Sequence, residues 1–315
     1  MTRGIILANT GSPDAPEPQA VRAYLSTFLA DPRICPMNPR LWYLILHAFI
    51  LPKRCVSSAE KYRLIWTDEG SPLSVHMASL AAGLEAEAGK GAVVRHAMSY
   101  GAPSMAHALA ELRDEGCADI TMVPLYPQSA HSTTGVVSDQ LAAALEELAW
   151  QPQVRVIERY ADAPAYLDAI AESVRAVGFG EAGDGLLFAF HSIPLADVRA
   201  GDTYGEQAAA TAQAVAERLG LTPGQWQLGF QSRFDKHRRW LSPFTREVLP
   251  KLDACERLFV VAPNFSVDCL ETLYDIDIVL RQECQQQRPT RPFIYIPSLN
   301  ATPAHISLLR TLITS

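Results

Sequence analysis

The sequence predicts an α/β protein of two similar domains, each a four-stranded parallel sheet flanked by helices. Three observations carry that expectation. Eight short apolar runs alternate with longer stretches of helical periodicity along the whole chain, the pattern of parallel sheets covered on both faces. The 315 residues exceed a single average domain and suit two, at about 150 residues per domain. Hydrophobic residues make up 48% and charged residues 19%, with no low-complexity run, which is enough apolar surface to fill two cores.

In the first half the expected strands cover residues 4–8, 92–97, 120–125 and 154–158, with helices over 18–29, 105–115 and 138–148. In the second half the strands cover 185–190, 226–230, 258–262 and 292–296, with helices over 166–177, 205–219 and 269–287. Domains of 1–161 and 162–315 follow, meeting near residues 161–165. A closing helix over 304–314 has two open placements, against its own domain or folded back on the first. No internal repeat is visible, so the likeness of the halves rests on pattern alone.

One apolar run stands apart, LWYLILHAFIL over residues 41–51, which carries His47. At 11 residues it falls short of the ~18 that span a bilayer. A buried helix is one reading. The other is an exposed apolar lip that touches a membrane surface or shields a greasy ligand.

Composition excludes several classes. A net charge of −7 is unsuited to neutralising nucleic-acid phosphates, though an acidic protein can hold a locally basic pocket for a small anion. Residues 4–8 follow the first Met almost at once, with no signal-peptide pattern, and a cytoplasmic protein is expected. The six cysteines, Cys35, Cys55, Cys117, Cys255, Cys269 and Cys284, form no C-x-x-C pair. They read as reduced thiols rather than a disulfide framework, a zinc site or an iron–sulfur site.

Ligands in such folds gather where loops leave the carboxyl ends of the strands. The first strand exits into Asn9-Thr10-Gly11-Ser12, and the third into a loop from Tyr126 through Ser129 and His131 to Gly135. The later exits are His191-Ser192-Ile193-Pro194, Gln231-Ser232-Arg233-Phe234 and Pro263-Asn264-Phe265-Ser266-Val267-Asp268. His191 directly follows an apolar strand, and a histidine with an ordinary pKa of about 6.5 suits proton transfer or metal ligation. It is also a residue type that simply bonds a nearby carbonyl. Glu271 has two readings as well. Asp268 and Glu271 have the spacing of a capping box, whereas Glu271 and Asp275, four apart on one helical face, form a carboxylate row that a cation or shared proton relieves. No G-x-G-x-x-G, Walker or G-x-S-x-G motif competes.

Taken together these segments resemble the ferrochelatases, over essentially the whole chain. The resemblance is carried in order by LANTGSPDAPEPQAVRAYLSTFLADPR, GSPL, MSYGAPS, VPLYPQSAHSTTG, FHSIP, GDTY, QSRF, WLSPFT, DCLETLYDIDI and YIPSLNATPAHI. It implies two Rossmann-like, chelatase-like domains that clamp a planar porphyrin, into which Fe²⁺ is inserted to give haem with release of two protons. By resemblance His191 and Glu271 are catalytic, and His191, Glu271 and Asp275 meet the metal. Thr10, Arg33, Tyr126, Ser129, Trp240 and Phe265 fall at porphyrin-binding positions. Iron is then a substrate, with no permanent cofactor. His131 stands where cluster-bearing members place a cysteine, so no iron–sulfur cluster is expected. A monomer is expected, with peripheral membrane contact through the apolar run. Protoporphyrin IX is the expected substrate, with coproporphyrin the alternative inside the family. A carrier that binds tetrapyrrole without turnover, and a chelatase loading cobalt or nickel, are the readings outside it. Three departures stand out: Asn264 replaces the family's glycine, Val279 shortens the acidic row, and the link 235–239 is longer and more basic than usual.

Overall fold

The computed structural model describes residues 2–35, 37–89, 91–233 and 237–314. Phe234 of the QSRF motif, and Asp235 and Lys236 of the lengthened link, lie outside the described residues. The chain divides into two compact units. The first comprises residues 1–125, 131–158 and 312–315, and the second residues 126–130 and 159–311.

In the first unit the order is β1 (Thr2–Asn9), α1 (Pro18–Ala30), α2 (Pro39–Ile45), a π-helical turn (Leu46–Ile50), α3 (Leu51–Ile65), α4 (Pro72–Ala88), β2 (Ala92–Met98), α5 (Met105–Asp114), β3 (Cys117–Pro124), α6 (Thr134–Glu147) and β4 (Gln153–Val156). The sheet is all parallel with strand order β2-β1-β3-β4. Ile5, Ile6, Leu7 and Ala8 of β1 are all buried, as a central strand covered on both faces requires. After β1 the chain turns at Gly11, φ +103°, where an added Cβ would sit 1.9 Å from the Tyr100 carbonyl oxygen. Only glycine fits that close approach. Helix α4 was not among the expected elements. Its signal was present, since Leu73, Met77, Leu80, Ala81 and Leu84 are buried at helical spacing behind a proline in the first turn, whose fixed φ suits a helix start.

The apolar run over residues 41–51 is helical, and the reading of it as simply buried is corrected. Leu46 and Leu51 are fully buried, but Leu41, Leu44 and Phe49 are 54%, 64% and 73% exposed. One stripe of the helix faces the core, so a run that is apolar all round leaves its other faces uncovered. Among the described residues no helix is long and apolar enough to cross a membrane.

The second unit repeats the plan with α7 (Pro164–Ala176), β5 (Asp184–His191), α8 (Leu195–Arg199), α9 (Tyr204–Leu219), β6 (Trp226–Gln231), α10 (Thr245–Val248), β7 (Arg257–Val261), a π-helix (Glu271–Leu280) running into α11 (Arg281–Gln287), β8 (Phe293–Tyr295) and α12 (Pro303–Thr314). Its strand order, β6-β5-β7-β8, is again all parallel. Leu187 and Ala189 of β5, Leu258 and Val260 of β7, and Ile276, Leu280 and Cys284 of the π-helix and α11 share one core cluster. The π-helix is thus anchored by its apolar side against the sheet. The last residues of α12 belong to the first unit, where the Arg155 guanidinium donates to the Leu312 carbonyl at 2.8 Å.

Candidate functional site

His191 is the last residue of β5, rigid because every residue before it in the strand is buried. Its ring Nδ1 lies 2.6 Å from the Ser192 carbonyl. A carbonyl only accepts, so in the neutral ring the proton sits on Nδ1 and Nε2 is the basic nitrogen. The Phe265 ring stands edge-on to the imidazole with centroids 6.4 Å apart.

His191 pairs in parallel register with Gln231 at the end of β6, and the Ser192 N–H donates to the Gln231 carbonyl at 2.8 Å. The Gln231 side-chain amide in turn donates to the Glu271 backbone carbonyl at 3.3 Å. The next residue, Ser232, sits at φ +60°, a left-handed conformation uncommon outside glycine and asparagine. Its hydroxyl donates to the Asp275 carboxylate at 2.7 Å. Two adjacent residues of one strand exit therefore hold the π-helix at Glu271 and Asp275, and the same strand exit borders His191. Glu271 and Asp275 are both half-buried. The expected ordinary helix over 269–287 is corrected here to a π-helix from Glu271 to Leu280, a form rare in proteins and frequent at functional sites.

The capping-box reading of Glu271 fails. The Asp268 N–H donates to the Asn300 side-chain oxygen at 2.8 Å rather than to Glu271, and no side chain caps the π-helix. The Asp268 carboxylate, 4% exposed, accepts instead from the hydroxyls of Thr272 at 2.9 Å and Tyr295 at 2.5 Å and from the Asn300 amide at 2.7 Å. Burial, followed by the charge of Glu271, holds the Cys269 thiol well above its ordinary pKa, so it stays a protonated thiol beside the carboxylate.

The remaining expected positions fall in both units. In the second unit the Ser129 N–H donates to Gln207 at 3.0 Å, and the Gln207 amide donates back to the Ser129 hydroxyl at 3.2 Å. Tyr126 is half-buried. Trp240 is buried with the Arg238 guanidinium 4.8 Å above its ring. Thr10 and Arg33 lie in the first unit. The Arg33 guanidinium is engaged there by Asp139 at 2.5 Å and 3.0 Å. Asn264, which stands in place of the family's glycine, does not have a positive φ. Gln231, Ser232 and Asn300 lie within the resembling motifs, but nothing in the sequence marks their roles, because their partners lie tens of residues away.

Solved chelatase structures share this fold. SirB from Bacillus subtilis with Fe³⁺ superposes with a TM-score of 0.59 over 99% of this chain and 96% of that one, at 11% identity. The sirohydrochlorin chelatase SirB from Bacillus subtilis subspecies spizizenii, in complex with cobalt, gives the same score over 100% and 94%. At such identity the likeness is one of fold. The particular family follows from sequence. The ferrochelatase profile matches residues 2–315. Proteins named ferrochelatase from Nitrosococcus oceani and Alcanivorax borkumensis are each 40% identical over 98% of this chain, covering 85% and 92% of their own lengths. That from Aromatoleum aromaticum is 42% identical over 99% of this chain and 87% of its own. The chain belongs to the ferrochelatase family. Its chemistry is that of a lyase, a metal chelatase acting on a porphyrin and ferrous iron.

Proposed function

We propose that the site on the second unit is the metal-insertion centre and that its substrate is protoporphyrin IX. The observation that carries the first part is the β6 exit. Through Gln231 and Ser232 it ties the strand end bearing His191 to the Glu271 backbone carbonyl and the Asp275 carboxylate of the π-helix. In this reading Nε2 of His191 accepts pyrrole protons or meets the arriving Fe²⁺. Glu271 takes the complementary role, and Asp275 exchanges protons or ions with solvent. The Glu271 backbone and the Asp275 carboxylate are held before substrate arrives, so less reorganisation is left for the reaction itself. Phe265, Trp240, Tyr126 and Ser129 contact the macrocycle.

The choice of protoporphyrin rests on the exposed side chains of Leu41, Leu44 and Phe49. Such an apolar surface fits a porphyrin with two carboxylates better than one with four, and we assign it a peripheral contact with a lipid surface as well. Zinc or iron insertion, assayed with both porphyrins side by side, tests the whole reading. His191→Ala and Glu271→Gln are each expected to lower turnover by about a thousandfold, the middle of the range for losing a proton-transfer group, with porphyrin still bound. Wild-type rates in both variants overturn the roles. Binding without insertion by the unaltered chain overturns the activity and leaves a carrier, and faster turnover of coproporphyrin overturns the choice of substrate.

A further inference from the structure

We infer that Asn300 is a positioning residue for metal insertion, acting through Asp268 on the first turn of the π-helix that carries Glu271. Asn300 lies in the loop between β8 and α12, 29 residues beyond Glu271 in the sequence. Its backbone is left-handed, φ +49°, a conformation that asparagine tolerates better than other side-chain-bearing residues. It grips the segment before the π-helix at three points. Its own N–H donates to the Ser266 carbonyl at 3.0 Å. Its side-chain oxygen accepts from the Asp268 N–H at 2.8 Å, and its side-chain amide donates to the Asp268 carboxylate at 2.7 Å. Asp268 passes the constraint on through the Thr272 hydroxyl, 2.9 Å from its carboxylate. That hydroxyl also accepts from the Cys269 N–H at 3.0 Å, so the residues on either side of Glu271 are fixed by one cluster.

Behind Asn300, the buried His305 ring donates from Nδ1 to the Asn300 carbonyl at 2.6 Å. The loop is thereby tied to the first turn of α12. A π-helix gives up the better geometry of an α-helix, so a first turn with no side-chain cap needs its register set from outside. The Asn300–Asp268 pair supplies that register, and with it the direction in which Glu271 points. This inference rests on the role proposed for Glu271.

The test is a double-mutant cycle on the full chain, with zinc insertion and porphyrin binding as separate readouts. Asn300→Gly keeps the left-handed backbone and removes the side-chain amide. Its expected effect is a fall in kcat of about tenfold, with porphyrin Kd within about twofold and a cooperative thermal transition retained. In a Glu271→Asp background, where the carboxylate is already displaced by one methylene, the same substitution is expected to change kcat by less than about twofold. An equal loss in both backgrounds shows a merely structural role and overturns the proposal, as does wild-type kcat in Asn300→Gly alone. Should Glu271→Asp itself turn over at the wild-type rate, the role of Glu271 fails first, and that outcome is distinguishable because it appears before Asn300 is touched.

Discussion

Helix α6 and the π-helix hold equivalent places in the two units, each leaving the third strand of a parallel sheet ordered 2-1-3-4. Their local chemistry is opposite. Helix α6 is an ordinary α-helix of 14 residues, opened by Thr134 and Gly135, whose Asp139 is spent on an exposed pair with Arg33. The π-helix carries three half-buried carboxylates, Glu271, Asp275 and Asp277, with the Ser232 hydroxyl on Asp275, the Arg281 guanidinium on Asp277 and the Asn300–Asp268 cluster at its start. One topology therefore presents a structural crossover in the first unit and a fixed acidic row in the second. A fold provides the position, while bonds from neighbouring loops decide whether chemistry is mounted there.

That contrast can be broken at several depths. The largest effect is expected at the acidic row itself, where Glu271→Gln loses about a thousandfold in insertion rate. In the first unit the severest change is Gly11→Ala. The added Cβ would overlap the Tyr100 carbonyl, and unfolding in urea should show a loss of about 3 kcal/mol or more.

A smaller effect separates the units by pH. Burial lowers the pKa of His305 in the second unit to about 4, only partly offset by its bond to the Asn300 carbonyl. The unfolded chain protonates this histidine near 6.5 and the folded chain near 4. Stability tied to the neutral ring is therefore complete above pH 6.5 and is lost as pH falls from 6.5 to 4. By linkage the loss at pH 5 is about 2 kcal/mol. Urea midpoints at pH 7.5 and 5 measure it, and His305→Gln should flatten that difference.

Ser232→Ala, which removes the hydroxyl bonded to Asp275, is expected to slow insertion by about tenfold without moving the porphyrin affinity, the low end for one hydrogen bond to a charged group. Least of all, Asp139→Asn removes only a surface pair and should shift stability by under about 1 kcal/mol.

Periodicity and residue type alone were enough for the architecture. Every expected strand is present within three residues at either end, because buried parallel strands read as continuous apolar runs. His191 was legible for the same reason, as a polar residue at the end of such a run. The ordered motifs carried the family. What the sequence left ambiguous was Glu271, for which capping and carboxylate-row readings competed at identical spacing. Tertiary structure rejected the cap, since the Asp268 amide is taken by Asn300. It also chose a π-helix over an α-helix, and between a buried helix and an exposed lip for residues 41–51 it left Leu41, Leu44 and Phe49 uncovered. Each of these depends on partners brought together across the fold. Hydrophobic pattern, which is local, wrote the sheets; hydrogen bonds between distant residues hold the segment before the π-helix and its Asp275 carboxylate.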